Sequence, residues 1–120
     1  MHKYWSKFES PKLEQFRNKH KDEDCFIIGN GPSLNEMDLS LLNDYYTFGL
    51  NKIHLIFDRK PFDLSYHVAV NPHVIRQSKK EISNLNCQSF LSYVPAWINR
   101  VISDNIYYLG DTESNEFFYK

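Results

Sequence analysis

The sequence has few glycines and cysteines, no dominant charge of either sign and no long apolar run, and each shortage excludes a class of protein. A formal net charge of −1 over 120 residues argues against a broad basic surface for duplex nucleic acid. No apolar stretch approaches the ~20 residues that cross a bilayer, and the N-terminal segment lacks the apolar centre of a secretory signal. We therefore expect a cytoplasmic protein that binds no nucleic acid and has no integral membrane segment.

The cysteines and histidines do not predict a metal site. Cys25 and Cys87 both fall in predicted strands, and no partner stands at ligand spacing from either of them. Two buried free thiols in a reduced compartment are expected. His67 also lies in a predicted strand, where a hydrogen-bonded core or rim histidine is commoner than a metal ligand.

Short apolar runs alternate with segments of helical character along the chain. The runs cover residues 25–28, 46–50, 66–70, 88–92 and 106–109, and the main helical segments cover 38–42, 53–57 and 71–83. This alternation predicts an α/β fold that is Rossmann-like, with a mostly parallel sheet and flanking helices. Residues 1–24 are predicted to form an N-terminal helical arm, in which Ser10 caps a helix that begins at Pro11.

Three of the apolar runs end in asparagine, and a helix-like segment follows each one. These residues are Asn30, Asn51 and Asn71. If the runs are parallel strands, all three side chains lie at the carboxyl edge of the sheet, where open α/β sheets bind ligands. Neutral amides and backbone N–H groups at that edge suit a nucleotide. The alternative is that each asparagine only caps the following helix, a role that Pro72 makes especially natural for Asn71.

A glycine-containing turn, residues 29–34, follows the first run. Gly29 and Gly31 resemble the first two glycines of a dinucleotide-binding fingerprint, which let the backbone approach a phosphate, and Ser33 adds a hydroxyl donor. Leu34 stands where the third glycine would be, and the Gly-Lys-Ser/Thr of a P-loop is absent. A dehydrogenase is therefore disfavoured, whereas anion capture by the N–H groups of the turn and a purely structural turn both stay open.

Few charged residues stand near these motifs. Lys52 follows Asn51 and is a candidate point charge for a phosphate, although a solvated surface lysine is the commoner case; a surface role is also the default for Arg76. The aspartates at 38, 58 and 63 do not predict a Mg²⁺ site. No nucleophile–base set is recognisable, so the catalytic residues stay unassigned.

The stretch Ile-Ile-Gly-Asn-Gly-Pro-Ser-Leu at 27–34, followed by Asn51 and by Asn-Pro at 71–72, resembles two related groups of proteins. One is the 6-hydroxymethylpterin diphosphokinase-like family, and the other is the bacterial sialyltransferases that use CMP-sialic acid. The resemblance covers about residues 25–91. It implies that Asn30, Gly31 and Ser33 contact the phosphate and ribose of a nucleotide. Asn51 and Asn71 would then contact its sugar or base side.

The resemblance also sets the expected function. It implies a transferase that uses ATP to pass a diphosphate to a hydroxymethyl group, with Mg²⁺ as a candidate cofactor. The alternatives are a CMP-sugar-dependent glycosyltransferase that acts on a glycan acceptor, and a non-catalytic nucleotide-binding or structural module. The second half of both groups has no counterpart here, so residues 25–120 are expected to be the N-terminal part of a Rossmann-like nucleotide-binding domain. Such an incomplete sheet is open to self-association through an edge strand.

Overall fold

The computed structural model describes residues 2–29, 31, 34, 36–57 and 63–110, which form an α/β fold around a five-stranded sheet. The strands are β1 (Cys25–Ile28), β2 (Tyr46–Leu50), β3 (Tyr66–Ala69), β4 (Gln88–Ser92) and β5 (Ile106–Leu109). They lie in chain order, and all four pairings are parallel. The fold class predicted from the alternation of runs is confirmed.

The helical segments are short. The α-helices are α1 (His2–Tyr4), α2 (Pro72–Gln77), α3 (Lys79–Ser83) and α4 (Tyr93–Ile98). A π-helical turn covers Trp5–Glu9, and 3₁₀ helices cover Ser10–Phe16, Leu39–Leu42 and Ile53–Ile56. No helix among these described segments is long and apolar enough to cross a membrane.

Two predictions about helix ends are wrong. The helix predicted over residues 71–83 is two helices, because the backbone at Ser78 leaves helical geometry (φ −113°, ψ 19°). Ser10 is not an N-cap, because the preceding π-helical turn runs directly into the 3₁₀ helix and Glu9 occupies the cap position. Pro11 still lies in the first turn, where its missing N–H costs nothing.

The connections between strands pack on one face of the sheet. This is the expected result of right-handed crossovers between strands that follow chain order. Two clusters of buried apolar residues fill that face: Ala69, Ile75, Ile82, Leu91, Ala96, Val101 and Ile106 under α2–α4, and Ile28, Leu34, Leu39, Ile53 and Ile56 nearer β1.

The opposite face carries aromatic side chains and is covered by the N-terminal segment. The rings on this face belong to Tyr46, Phe48, Tyr66, Phe90 and Tyr107. Phe16 packs edge-on against the last three of these rings, with centroid distances of 6.2, 5.1 and 4.9 Å. The indole N–H of Trp5 donates to the carbonyl of Tyr108 at 2.8 Å. The segment predicted as a helical arm therefore lies across the sheet.

The burial of the two thiols differs from the prediction, although both thiols are free as expected. Cys25 is exposed because β1 is an edge strand. Cys87 is half-buried and lies one residue before β4. Burial raises the pKa of the Cys87 thiol to about 11, so this thiol stays protonated at neutral pH.

Candidate functional site

The strand register brings the ends of β1, β2 and β3 to one edge of the sheet. Ile28 pairs with Gly49, and Gly49 pairs with His67. Gly29 is therefore level with Leu50, the last residue of β2, and Asn51 follows one residue later. Asn71 lies two residues beyond β3. Asn51 and Asn71 thus lie at the carboxyl edge of the parallel sheet, and their joint role in a binding site stays a prediction. Asn30 and Ser33 lie outside the described residues.

Asn51 adopts a left-handed backbone conformation with φ 54°. Asparagine tolerates this region better than most residues. Its N–H donates to the carbonyl of Val68 at 2.9 Å, and its own carbonyl accepts a hydrogen bond from Nε2 of His67 at 2.7 Å. The N-cap of the 3₁₀ helix Ile53–Ile56 is Lys52, and no side chain caps that helix. The alternative that Asn51 is a helix cap is therefore wrong.

His67 joins Asn51 to the core of the sheet. It is fully buried (0% exposed), and its Nδ1 lies 3.1 Å from Oγ of Ser89. Because Nε2 faces a carbonyl and must carry the proton, Nδ1 accepts the hydroxyl hydrogen of Ser89. Burial lowers the pKa of His67, the hydrogen bond to Asn51 opposes that shift, and nearby His54 adds to it. The prediction of a hydrogen-bonded core histidine is confirmed.

Asn71 is the N-cap of α2. Its Oδ1 accepts a hydrogen bond from the N–H of His73 at 2.8 Å, and Pro72 occupies the first helical position. The capping role proposed for Asn71 is confirmed. Its side chain is exposed, and its Nδ2 group makes no hydrogen bond to the described residues, so contact with a nucleotide stays a prediction.

A cavity of about 350 Å³ opens beside the end of β1. It is lined by Phe26, Ile27, Ile28, Gly29, Gly31, Leu34, Met37, Leu39 and Leu42. Its volume falls in the range of small-molecule sites, and its apolar walls suit a flat ring better than a charged group. Met37, which is 48% exposed, forms part of this wall.

Positively charged side chains lie on the other side of Asn51, at α2. The Nζ of Lys52 donates to Oε1 of Gln77 at 2.7 Å, and Nη2 of Arg76 lies 3.4 Å from Nδ1 of His73. His73 and Gln77 were not identified from the sequence. Their i, i+4 spacing on a helix that begins at a strand end was the signal that would have placed them together.

The described acidic residues do not form a metal-binding group at this edge. No group of three or more His, Cys, Asp or Glu side chains in the described part of the chain is placed to hold a metal ion. Asp38 caps the 3₁₀ helix Leu39–Leu42, its carboxylate accepting from the N–H of Ser40 at 3.2 Å. Asp63 lies just before β3 at the opposite edge, and Asp58 lies outside the described residues.

Comparison with known proteins gives no further assignment. A scan of protein-family models found no match. A search of curated proteins found none, and neither did a search of solved structures.

Proposed function

We propose that this chain is a nucleotide-binding domain of a transferase of the 6-hydroxymethylpterin diphosphokinase-like kind. The observation that carries the proposal is the register of β1–β3, which brings Gly29 and Asn51 to the carboxyl edge within one residue of the same level. Gly29 also lines the 350 Å³ cavity. Ligands of parallel α/β sheets bind outside this edge. The resemblance of residues 25–91 to nucleotide-dependent transferases supports the same location.

The parts of this edge suit different parts of a nucleotide. The backbone at Gly29 and Gly31 is exposed and carries no side chain that would keep a phosphate away. The half-buried amide of Asn51 makes no hydrogen bond to the described residues, and an amide can both donate to and accept from a ligand. The cavity offers apolar contact to a base. Recognition by a few polar groups around an apolar pocket is typical of small-molecule sites.

In the proposed reaction the oxygen of a hydroxymethyl group attacks the β-phosphorus of ATP and loses its proton. The bond between the β-phosphorus and the AMP oxygen breaks, so that the diphosphate is transferred and AMP leaves. Phosphoryl-transfer enzymes accelerate such reactions mainly by positioning the reactants and stabilising charge. Mg²⁺ would then enter with the nucleotide phosphates. The alternative donor is a CMP-sugar, for which the same edge would hold a single phosphate.

The Asn71 cap favours a second candidate, a module whose asparagines serve the fold and not a ligand. That role accounts for the Oδ1 contact to His73 without any nucleotide. It does not account for Asn51, whose side chain caps no helix.

A thermal-shift screen of the chain with CMP, CDP, CTP, ATP and GTP, with and without Mg²⁺, tests the proposal. A ligand that binds only the folded state raises Tm. A Mg²⁺-dependent shift with ATP supports diphosphate transfer, and a shift confined to cytidine nucleotides supports the CMP-sugar alternative. No shift with any nucleotide, from a folded sample, would favour the structural module.

Two asparagine variants separate ligand contact from capping. Asn51→Gly removes the amide but keeps the left-handed backbone accessible, so we expect little loss of stability and a weaker nucleotide-induced shift. Asn71→Ala removes the cap and should cost about 1 kcal/mol of unfolding free energy. If a nucleotide raises the Tm of Asn51→Gly as much as that of the parent chain, the Asn51 side chain does not contact the nucleotide.

A further inference from the structure

We infer that Lys52, His73, Arg76 and Gln77 form a binding site for the distal phosphates of a nucleoside di- or triphosphate, which we call the Lys52 cluster. This inference rests on the proposed nucleotide-binding function and specifies the ligand further. It places the phosphate chain along the carboxyl edge from β1 towards α2.

Lys52 is the first part of the cluster. It follows the left-handed Asn51, and its side chain reaches α2, where Nζ donates to Oε1 of Gln77 at 2.7 Å. This contact holds the ammonium group beside the helix. It uses one of three ammonium hydrogens, so the others are available to an anion.

α2 supplies the remaining donors. His73 and Gln77 are four residues apart and share one side of the helix, and Nη2 of Arg76 approaches Nδ1 of His73 at 3.4 Å. In this arrangement the Nε2–H of His73 and the amide N–H₂ of Gln77 point to no described partner. The cluster therefore presents mostly donors.

The positive charges of the cluster form no ion pair with a described carboxylate. Within the described part of the chain, neither Lys52 nor Arg76 lies within ion-pair distance of an acidic side chain. Burial lowers the pKa of the neighbouring His54, Glu81 on α3 raises it, and Lys52 lowers it further. Fixed positive charge without an acidic partner is the usual setting for phosphate recognition.

The spacing favours a ligand with more than one phosphate. Adjacent strands are ~4.8 Å apart, so β1 and β3 are separated by about 10 Å across the sheet. α2 begins three residues beyond the end of β3. A base in the apolar cavity and a first phosphate at the glycine turn would leave the second and third phosphates to reach Lys52 and Arg76. In this orientation of the nucleotide, Asn51 and Asn71 lie near its phosphates. The family resemblance instead implied that these two asparagines contact the sugar or base of the nucleotide.

Isothermal titration calorimetry on the whole chain tests the inference, with AMP, ADP and ATP, with CMP and CDP, and with inorganic tripolyphosphate as ligands. The variants are Lys52→Gln and Arg76→Gln. Lys79→Gln, which removes an exposed charge on α3, is the matched control. Thermal melts establish that each variant is folded.

We expect the diphosphates to bind at least about tenfold more tightly than the monophosphates. Each cluster variant should weaken diphosphate binding by about tenfold, since a hydrogen bond to a charged group is removed. Monophosphate binding and the Lys79→Gln control should stay unchanged. Affinity should fall steeply with added salt in the parent chain and less steeply in the variants.

The outcomes separate this inference from the proposed function. Equal binding of mono- and diphosphates, unaffected by both cluster variants, would overturn the Lys52 cluster and leave nucleotide binding intact. Tripolyphosphate binding that needs Lys52 and Arg76, without binding of any nucleotide, would overturn the nucleotide function and with it this inference, because the cluster would then bind free polyphosphate. Failure of every phosphate ligand to bind would overturn both.

Discussion

Asn51 and Asn71 are the same residue type at equivalent strand ends, yet they have different structural roles. Asn71 caps α2 through its side chain, as its neighbour Pro72 predicts. Asn51 instead adopts a left-handed backbone that depends on the imidazole of His67, sixteen residues away. The first role depends on neighbouring residues and could be predicted from the sequence. The second depends on a tertiary hydrogen bond, which no local pattern contains.

Substitution by alanine should change the stability of the fold differently at Gly49, within β2, and at Gly29, directly after β1. A Cβ at Gly49 would lie 2.9 Å from Cγ2 of Ile53 and 2.9 Å from Cδ1 of Leu64, whereas a Cβ at Gly29 would meet nothing within 4 Å. Gly49→Ala should therefore cost about 1–3 kcal/mol by overpacking. Gly29→Ala should leave stability nearly unchanged, since no described glycine has positive φ.

Urea unfolding of both variants measures this difference. Equal stability of Gly49→Ala and the parent chain would contradict the close packing of the Ile53–Ile56 helix on β2. The same Gly29→Ala protein then serves as a test of the turn, because a methyl group there should weaken nucleotide binding without weakening the fold.

Buried His67 and half-buried His54 should make the fold sensitive to mild acid. Burial is the main cause that lowers the pKa of His67 and of His54. Above about pH 6.5 these residues are neutral in both the folded and unfolded states, so their contribution to stability is complete. As the pH falls below that value, the unfolded chain binds protons first, and stability is lost until the folded-state pKa values are passed.

The free energy of unfolding, measured in urea between pH 8 and pH 5, checks this prediction. His73→Gln, a change at an exposed histidine, should keep the acid-induced loss. Stability that rises as the pH falls from 7 to 5 would contradict the buried neutral state of His67.

At the scale of elements, strands were easier to predict than helices. Four of the five predicted strands have the bounds of β1, β2, β4 and β5, and the run 66–70 exceeds β3 by one residue. Short apolar runs between turn residues define buried strands well. The helices beyond residue 38 are only four to six residues long, so side-chain periodicity had too few turns to show where Ser78 interrupts them.

The N-terminal segment should stabilise the sheet through one ring. Phe16 is half-buried and contacts Tyr66, Phe90 and Tyr107, whereas Phe8 is 50% exposed. Phe16→Ala should lower the free energy of unfolding by about 2 kcal/mol, below the ~3–5 kcal/mol typical of a fully buried phenylalanine. Phe8→Ala is the matched control and should cost less than about 1 kcal/mol.

Chemical unfolding of the two variants, with binding of a hydrophobic dye as a second signal, tests this role. Phe16→Ala should bind more dye, since the aromatic face becomes more accessible. An equal effect of the two substitutions would show that the segment does not depend on Phe16 to cover the sheet.

At the scale of the whole molecule, the sequence predicted the parallel α/β class but not the strand order. The described sheet runs β1 to β5 without a reversal, so it contains no point where neighbouring connections diverge to opposite faces. Ligand crevices of open sheets usually form at such a point. Here the cavity lies instead at β1, an edge strand of uncharged residues whose Ile27 is 71% exposed.

The candidate site was predicted in part. The convergence of Gly29 and Asn51 followed from strand ends that periodicity locates. The contacts of Lys52 and Arg76 depend on how α2 lies beside β2, and this packing cannot be obtained from either segment alone.

Amide chemical-shift mapping of the ¹⁵N-labelled chain during titration with ADP tests the central claim most directly, because it reports where a nucleotide binds. We predict saturable shifts at Gly29, Gly31, Asn51 and Lys52 and along α2. Amides in the depression between α3 and α4, at Lys79 and Arg100, should stay unchanged. Shifts confined to that depression, or none at the carboxyl edge at saturating ADP, would contradict the account.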